Sequence, residues 1–411
     1  MKYLLITLGS IGDMMPFLAV ADALRQRGHQ AVIASNAGYA GLVRGSGFEF
    51  AIVSERPSQP LDGVLESDPD KAWRMVRQDV FVPATGPVRA FIAHQAQLGP
   101  CRVIASWNAF GARLASREMG VPLWRVFLSP HALAEDNESQ PDQGTGQRIG
   151  FFPPWFAPPG PDVRLTGFVM ADEAVIPALP PALETFLDDG PRPVLFTPGS
   201  FMRQAKDFFE VSLAACQYLK LRAIFLTPYG DQLPIDLPPT VRHYQFISLQ
   251  RLAPFGAALV HHGGIGTCAQ GLRAGIPQLI KPVFFDQHDN AARIESLGVG
   301  QRIAAYQEAD LAGRLTALLP SSTRMISSQA SASSYPPPDA VPFRAAIVRT
   351  PDSRLSSSRY MRVSLVNLQK FTLWACELAP SMTMLAPAQN IRSRSDVITS
   401  ARTAGCSNRR R

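Results

Sequence analysis

An α/β chain made of two doubly wound halves in tandem is the fold this sequence predicts. Three observations lead there. Short apolar runs alternate with segments of helical period as far as about residue 319. This βαβ order implies parallel sheets with covering helices. In each half a glycine-bearing turn stands directly between a strand and a helix, at the carboxyl end of the sheet, where open α/β folds place their ligands.

In the first half, Tyr3 to Leu8 reads as a strand, Gly9 to Met15 as a loop, and Pro16 to Arg27 as a helix whose Phe17, Leu18, Ala21 and Leu24 share a face. Pro16 suits a first helical turn and Gly28 a helix end. Gln30 to Ala34 is a second strand, Gly38 to Arg44 a short helix, and Phe48 to Ile52 a third strand. Strands follow at Arg102 to Ser106 and Pro122 to Phe127, with the helix Phe110 to Glu118 between them. The prolines from Pro153 to Pro161 are too dense for an element interior and mark an irregular crossing segment. Val163 to Phe168 then gives the last strand of this half.

A linker from Asp172 to Pro191, with a short helix at Pro181 to Leu187, leads to the second series. Its strands are Pro193 to Thr197, Arg222 to Thr227, Val241 to Phe246, Ala257 to Val260 and Gln278 to Pro282. Its helices are Phe208 to Tyr218, Thr267 to Ala274, and one from about Asp289 to Leu297. The division expected is therefore residues 1–171, a linker at 172–191, residues 192–319, and a tail at 320–411. The tail is rich in serine and arginine with little periodicity, as in a disordered extension or the product of a shifted reading frame. A basic arm for nucleic acid would need aromatic interleaving, which the tail lacks.

With 46% hydrophobic and 18% charged residues among 411, and no apolar run of 18 or more, the composition is that of a soluble globular protein without a membrane span. Tyr3 to Leu8 is too short for a secretory leader. Five scattered cysteines without metal-ligand spacing fit a reducing, cytoplasmic compartment. The net charge of +7 belongs to the tail, where thirteen Lys and Arg face four Asp and Glu, so nucleic acid is not an expected partner of the folded part.

The chemistry concentrates in His261-His262-Gly263-Gly264-Ile265-Gly266-Thr267. A glycine turn between a strand and a helix aims backbone N–H groups and the positive end of a helix dipole at one point, where a phosphate can sit. His261 is the expected supplementary donor, and His262, its neighbour, should point the other way. Asp13 lies in the loop after the first strand, as a general base or as a cap for the following helix. Asp188-Asp189 sits in a linker beside Gly190 and reads as a solvated pair, with no metal site expected.

These motifs resemble those of the bacterial branch of the inverting family 1 nucleotide-sugar glycosyltransferases, which have the GT-B architecture: two tandem Rossmann-like domains with a cleft between them. Gly9 to Pro16 corresponds to that family's first loop, Arg27-Gly28-His29 to its approach to the second strand, Thr197-Pro198-Gly199-Ser200 to its diphosphate turn, and His261 to Thr267 to its donor signature. Phe152 to Pro159 with Leu165 to Phe168 is most similar to the rhamnosyltransferase group of rhamnolipid synthesis.

The resemblance implies a metal-independent inverting hexosyltransferase that moves a hexosyl or deoxyhexosyl group from a UDP- or dTDP-sugar to a hydroxyl of a small acceptor, lipid-like acceptors included. It needs no cofactor, since the nucleotide-sugar is a substrate. Peripheral membrane contact is compatible with such acceptors. Asp13 is then the base, with His29 as its rival. Gly12 lies in the donor site, and Ser200, His261, Gly263, Gly264, Gly266 and Thr267 hold the diphosphate. Asp286 and Gln287 hold the sugar hydroxyls, with helix capping as their alternative, and Phe246 and Ile247 lie where the nucleobase loop is expected. Two departures from the family pattern bear on turnover. The interval between Ser129 and Phe151 is short of the helices expected on the acceptor side, and the helix that should cross back after Leu319 has no recognisable version. A non-catalytic nucleotide-sugar binder of the same fold is the alternative.

Overall fold

The computed structural model describes residues 1–55, 69–139, 146–160, 162–171, 177–200 and 202–319. The tail expected at 320–411 lies outside them, as do residues 140–145 of the shortened interval and residues 172–176 of the linker.

The first sheet is built from β1 (Lys2–Ile6), β2 (Gln30–Asn36), β3 (Glu49–Ser54), β4 (Cys101–Ser106), β5 (Leu123–Phe127), β6 (Gln147–Gly150) and β7 (Val163–Leu165). All pair in parallel, in the order β3-β2-β1-β4-β5-β6-β7. The helices of this half are α1 (Ile11–Gln26), α2 (Ala40–Gly45), α3 (Pro69–Val76), α4 (Thr85–Gln97), α5 (Phe110–Met119) and α6 (Pro130–Ser139). A π-helical turn, Arg77–Phe81, follows α3. Central strands such as β1 are apolar on both faces because helices cover both: Leu5 packs with Phe17 and Val20 of α1, while Leu4 and Ile6 pack with Val88 and Ile92 of α4.

The second sheet contains β8 (Val194–Thr197), β9 (Ala223–Leu226), β10 (Val241–Tyr244), β11 (Ala258–His261), β12 (Gln278–Ile280) and β13 (Gly300–Arg302). It too is parallel, in the order β10-β9-β8-β11-β12-β13. Its helices are α7 (Pro181–Asp188), α8 (Lys206–Leu219), α9 (Leu249–Leu252), α10 (Ile265–Ala274), α11 (Gln287–Ser296) and α12 (Glu308–Leu318). Two Rossmann-like sheets with helices on both faces are thus present, as expected. No helix among the described residues is long and apolar enough to cross a membrane.

The proline-rich crossing segment joins the halves. Phe152, Phe156, Ala157 and Phe168 share one buried cluster with Cys268, Leu272, Ala291 and Ile294 of α10 and α11. Arg293 donates from Nη1 to the Phe156 carbonyl at 3.1 Å, and Gln250 from Nε2 to that of Ala171 at 2.9 Å.

Two elements differ from expectation around the catalytic candidates. The first helix begins at Ile11, not Pro16, because Ser10 caps it: the Ser10 hydroxyl accepts from the Gly12 amide at 3.2 Å, and Asp13 closes a capping box. In the interval after Ser129, the described residues form α6 and then β6, neither of which the sequence pattern marks.

Candidate active site

Asp13 stands in the first turn of α1, at the carboxyl edge of the first sheet. Its Oδ2 accepts from the Ser10 amide at 2.7 Å and from the Ser10 hydroxyl at 2.8 Å. Gly9 makes this possible twice over. Its φ of 138° is one a side chain resists, and a Cβ there would lie 2.5 Å from Asp13 Oδ2. Burial pushes the Asp13 carboxyl above the usual range, while the Ser10 bonds oppose the shift. The turn is anchored below: Asn108 donates from Nδ2 to the Leu8 carbonyl at 3.1 Å, and Tyr39 from its hydroxyl to that of Gly9 at 3.0 Å. Both of the roles considered for Asp13 are compatible with this placement, since only Oδ2 carries these bonds to Ser10. His29 lies at the opposite, amino-terminal edge, with its ring 5.4 Å from that of Tyr3.

Across the cleft, β11 runs into the glycine turn and α10. Gly264 is the N-cap residue and gives α10 no side-chain cap, so the first turn presents bare amides. Gly266 is exposed beside them, and a Cβ on it would meet open space. Gly263 has φ 95°, and a Cβ there would lie 2.8 Å from Ile280 Cγ2. The second glycine turn, Thr197 to Ser200 at the end of β8, faces this one. The Gly199 amide donates to Thr197 Oγ1 at 3.3 Å, and exposed Ser200 is tethered through its carbonyl by the Tyr229 hydroxyl at 3.4 Å.

The histidines reverse the order expected of them. His261 is fully buried, and both ring nitrogens are engaged inside the domain. Nδ1 accepts from the Gly263 amide at 3.1 Å, which leaves Nε2–H to donate to Gln278 Oε1 at 2.9 Å. Gln278 in turn donates to the Cys268 carbonyl at 3.3 Å. Burial, with the neighbouring His262 adding to it, pushes His261 down to about 3, so the ring is neutral. His261 therefore braces the turn instead of facing a ligand. It is His262 whose imidazole lies between the two glycine turns, about 3.0 Å from a Cβ built on Gly199 and 2.5 Å from one built on Gly264, with a buried Nδ1 that has no hydrogen-bond partner. Burial pushes it to about 4.

Asp286 precedes α11 and reaches the cleft. Its Oδ2 accepts from Asn290 Nδ2 at 2.9 Å, and the same nitrogen donates to the Gly263 carbonyl at 3.0 Å. Burial pushes the Asp286 carboxyl up to about 6; the Asn290 bond opposes this, the charge of Asp13 adds to it, and His131 and a bond from Ser129 oppose it further. The two carboxylates thus converge from different domains. Gln287 is buried and turned back: its Oε1 accepts from the Val283 and Phe284 amides at 2.9 and 3.2 Å, leaving Nε2 as the group it has to offer. Phe285, which precedes Asp286, is held at φ 55°, and its ring meets Trp73 of α3 edge-on at 5.7 Å. Phe246 is 70% exposed beyond β10, and Ile247 packs partly into the core beneath α9. Among the described residues, no group of three or more His, Cys, Asp or Glu is placed to hold a metal ion.

The raised Asp286 carboxyl has a measurable consequence. A carboxyl held above its ordinary 3.8 contributes stability that is complete below pH 3.8 and is lost as pH rises through about 6. Asp286→Asn should therefore melt with the parent protein at pH 3.8 and roughly 2–6 °C above it at pH 7.5 in scanning calorimetry. An equal difference at both pH values would remove the burial argument.

Relatives in sequence and in structure bear on this arrangement. The family described as the C-terminal domain of erythromycin biosynthesis protein CIII-like proteins matches residues 229–336. The chain is similar to O-mycaminosyltylonolide 6-deoxyallosyltransferase of Streptomyces fradiae, at 27% identity over 367 residues, covering 74% of this chain and 85% of the relative. It is also similar to sterol 3-beta-glucosyltransferase of Saccharomyces cerevisiae (strain YJM789), at 24% identity over 388 residues and 76% of this chain, but it spans only 32% of that longer protein. Among solved structures, spinosyn rhamnosyltransferase SpnG complexed with thymidine diphosphate matches the fold with a TM-score of 0.60 at 18% identity, covering 77% of this chain and 91% of the other.

Proposed function

We propose that this chain is a nucleotide-sugar glycosyltransferase of the GT-B type, a reading its relatives support, and that it moves a hexosyl or deoxyhexosyl group from a UDP- or dTDP-sugar to a hydroxyl of a small acceptor, with inversion and without a metal ion. The observation that carries this reading is the convergence of Asp13 and Asp286 on a cleft whose far wall is an uncapped helix start between two glycine turns.

Asp13 takes the proton of the acceptor hydroxyl as its oxygen attacks the anomeric carbon. The new C–O bond forms on the face opposite the nucleoside diphosphate. The old bond breaks, and its electron pair leaves with the diphosphate. The amides after Gly264, the Thr267 hydroxyl, Ser200 and the His262 ring surround that charge, so a preorganised dipole does what a cation would otherwise do. Asp286 and the Gln287 Nε2 group receive sugar hydroxyls as acceptor and donor. Gly12, on the exposed turn beside Asp13, borders the sugar. Phe246 and Ile247 flank the base.

The reading is tested by incubating UDP-glucose and dTDP-rhamnose with a panel of hydroxylated acceptors. Transfer should persist in EDTA and give a product with the anomeric configuration opposite to the donor's, read by NMR. A retained configuration would overturn the mechanism, and nucleotide binding without any transfer would favour a non-catalytic binder.

A further inference from the structure

We propose that Ser129 of the first half is a positioning residue for the donor sugar: its hydroxyl crosses the cleft to Asp286 and holds that carboxylate on aim. This rests on the transferase reading, which gives Asp286 the sugar hydroxyls. Ser129 stands two residues beyond β5, at the carboxyl edge of the first sheet, and is only 3% exposed. Asp286 precedes α11 in the second half, so the hydrogen bond between the two side chains joins the domains.

A hydroxyl has one proton to give, and the local structure decides where this one goes. Pro130 opens α6, and the Ala132 amide in its first turn donates to Ser129 Oγ at 3.4 Å, as a serine cap requires. That bond uses a lone pair, which leaves the proton for the Asp286 carboxylate. From its own domain Asp286 receives Asn290 Nδ2 on Oδ2 at 2.9 Å. The carboxylate is therefore gripped from both halves, and turning it about Cβ–Cγ breaks one grip or the other. It is nevertheless half-buried, with lone pairs left for a ligand.

Such a bond holds its geometry only if the domains keep one seat. The buried cluster of Phe152, Phe156 and Phe168 against α10 and α11 provides that seat, and Arg293, bonded to the Phe156 carbonyl, lies on the very helix that Asp286 precedes. Among the described residues, the titratable groups facing Asp286 are Asp13 from α1, Cys268 from α10, and His131 from α6, which also meets Glu135 at 3.7 Å. Burial and Asp13 favour the protonated form of Asp286, while His131 and the bonds from Asn290 and Ser129 favour the carboxylate. Ser129 thus acts on this group in two ways: it directs the lone pairs, and it supports the charge that makes them good acceptors.

Calorimetry of the full chain with UDP-glucose and dTDP-rhamnose, from about pH 5 to 8, tests this, with UDP and dTDP as ligands that lack the sugar. Ser129→Gly removes the hydroxyl, and glycine caps a helix nearly as well as serine. At pH 7 it should weaken whichever sugar nucleotide binds by about three- to tenfold, the contribution of one intramolecular hydrogen bond, and leave UDP and dTDP within about twofold. Losing a bond to the charged form raises the carboxyl further, so sugar-nucleotide affinity should begin to fall at a higher pH than in the parent, where the carboxyl titrates at about 6. Ser129→Thr, which keeps a hydroxyl, should restore both properties. Beside Asp286→Asn, Ser129→Gly should change neither. Sugar-nucleotide binding untouched by Ser129→Gly, or a loss that persists in full beside Asp286→Asn, overturns this inference alone. Failure of every nucleotide to bind the parent overturns the transferase reading and this inference with it.

Discussion

Alanine in place of Asp13 lowers kcat by about 10² to 10⁴-fold, the range for loss of a positioned general base. The affinity for dTDP or UDP should stay within about twofold, because the nucleotide is held from the other domain. The same substitution opens the capping box of α1 and should cost about 1 kcal/mol of stability. Asp13→Asn separates the two roles. An asparagine oxygen still accepts from the Ser10 amide and hydroxyl, which now make the bonds at 2.7 and 2.8 Å, but it takes no proton. Steady-state kinetics on both variants, with urea denaturation alongside, decides the matter: the asparagine variant should be as stable as the parent and as slow as the alanine variant. An active asparagine variant would reduce Asp13 to a cap.

The second large effect falls on stability. His261→Leu leaves the Gly263 amide and Gln278 Oε1 without the partners that His261 now gives them inside the domain. A buried polar group left unsatisfied costs about 1–3 kcal/mol, so the pair should cost about 2–6 kcal/mol in urea denaturation. Donor affinity should fall by about tenfold or more as the phosphate turn loses its brace, since each 1.4 kcal/mol is a factor of ten. His262→Ala should do the reverse, sparing stability while weakening dTDP binding. With His261 pushed down to about 3, its bracing role is constant above pH 5. If His261→Leu were as stable as the parent and His262→Ala bound dTDP normally, the roles given to the two residues would fail together.

Most of the fold is legible because parallel strands covered on both faces are written as continuous apolar runs, as in Leu4-Leu5-Ile6 and Leu195-Phe196. The strand β6 is not, because Gln147 and Arg148 take up half of it and Gly150 leaves Ile149 as its one buried apolar side chain. Nor is α4 evident, although Val88 and Ile92 sit four residues apart on its core face. Taking Pro16 as a first-turn signal misplaces the start of α1. The spacing Ser10-x-x-Asp13, a capping-box pattern, is the better sign.

At the site, the glycine turns and the carboxylates can be read from residue type and order. Which histidine faces the ligand cannot. Alternation puts neighbours on opposite faces but does not say which face is covered, and Gln278, seventeen residues on, decides it. Asn290 belongs to the same class of residue. Its importance is spatial, and its nearest signal is a polar side chain one helical turn after Asp286. The likeness to the rhamnolipid group expected from Phe152 to Pro159 with Leu165 to Phe168 rests on a segment that packs the two domains together, and the relatives described above belong to other groups.

One nitrogen of Asn290 binds both the Gly263 carbonyl and the Asp286 carboxylate. Seen as a constraint on how such a sequence can change, and under the proposed roles of Asp286 and the glycine turn, that shared strut couples preference for the sugar to grip on the diphosphate. A substitution at Asp286 that accommodates a different sugar also releases a tie to the phosphate turn. A lineage exploring new donors would then have to vary residues outside this strut, or replace Asp286 and Asn290 together.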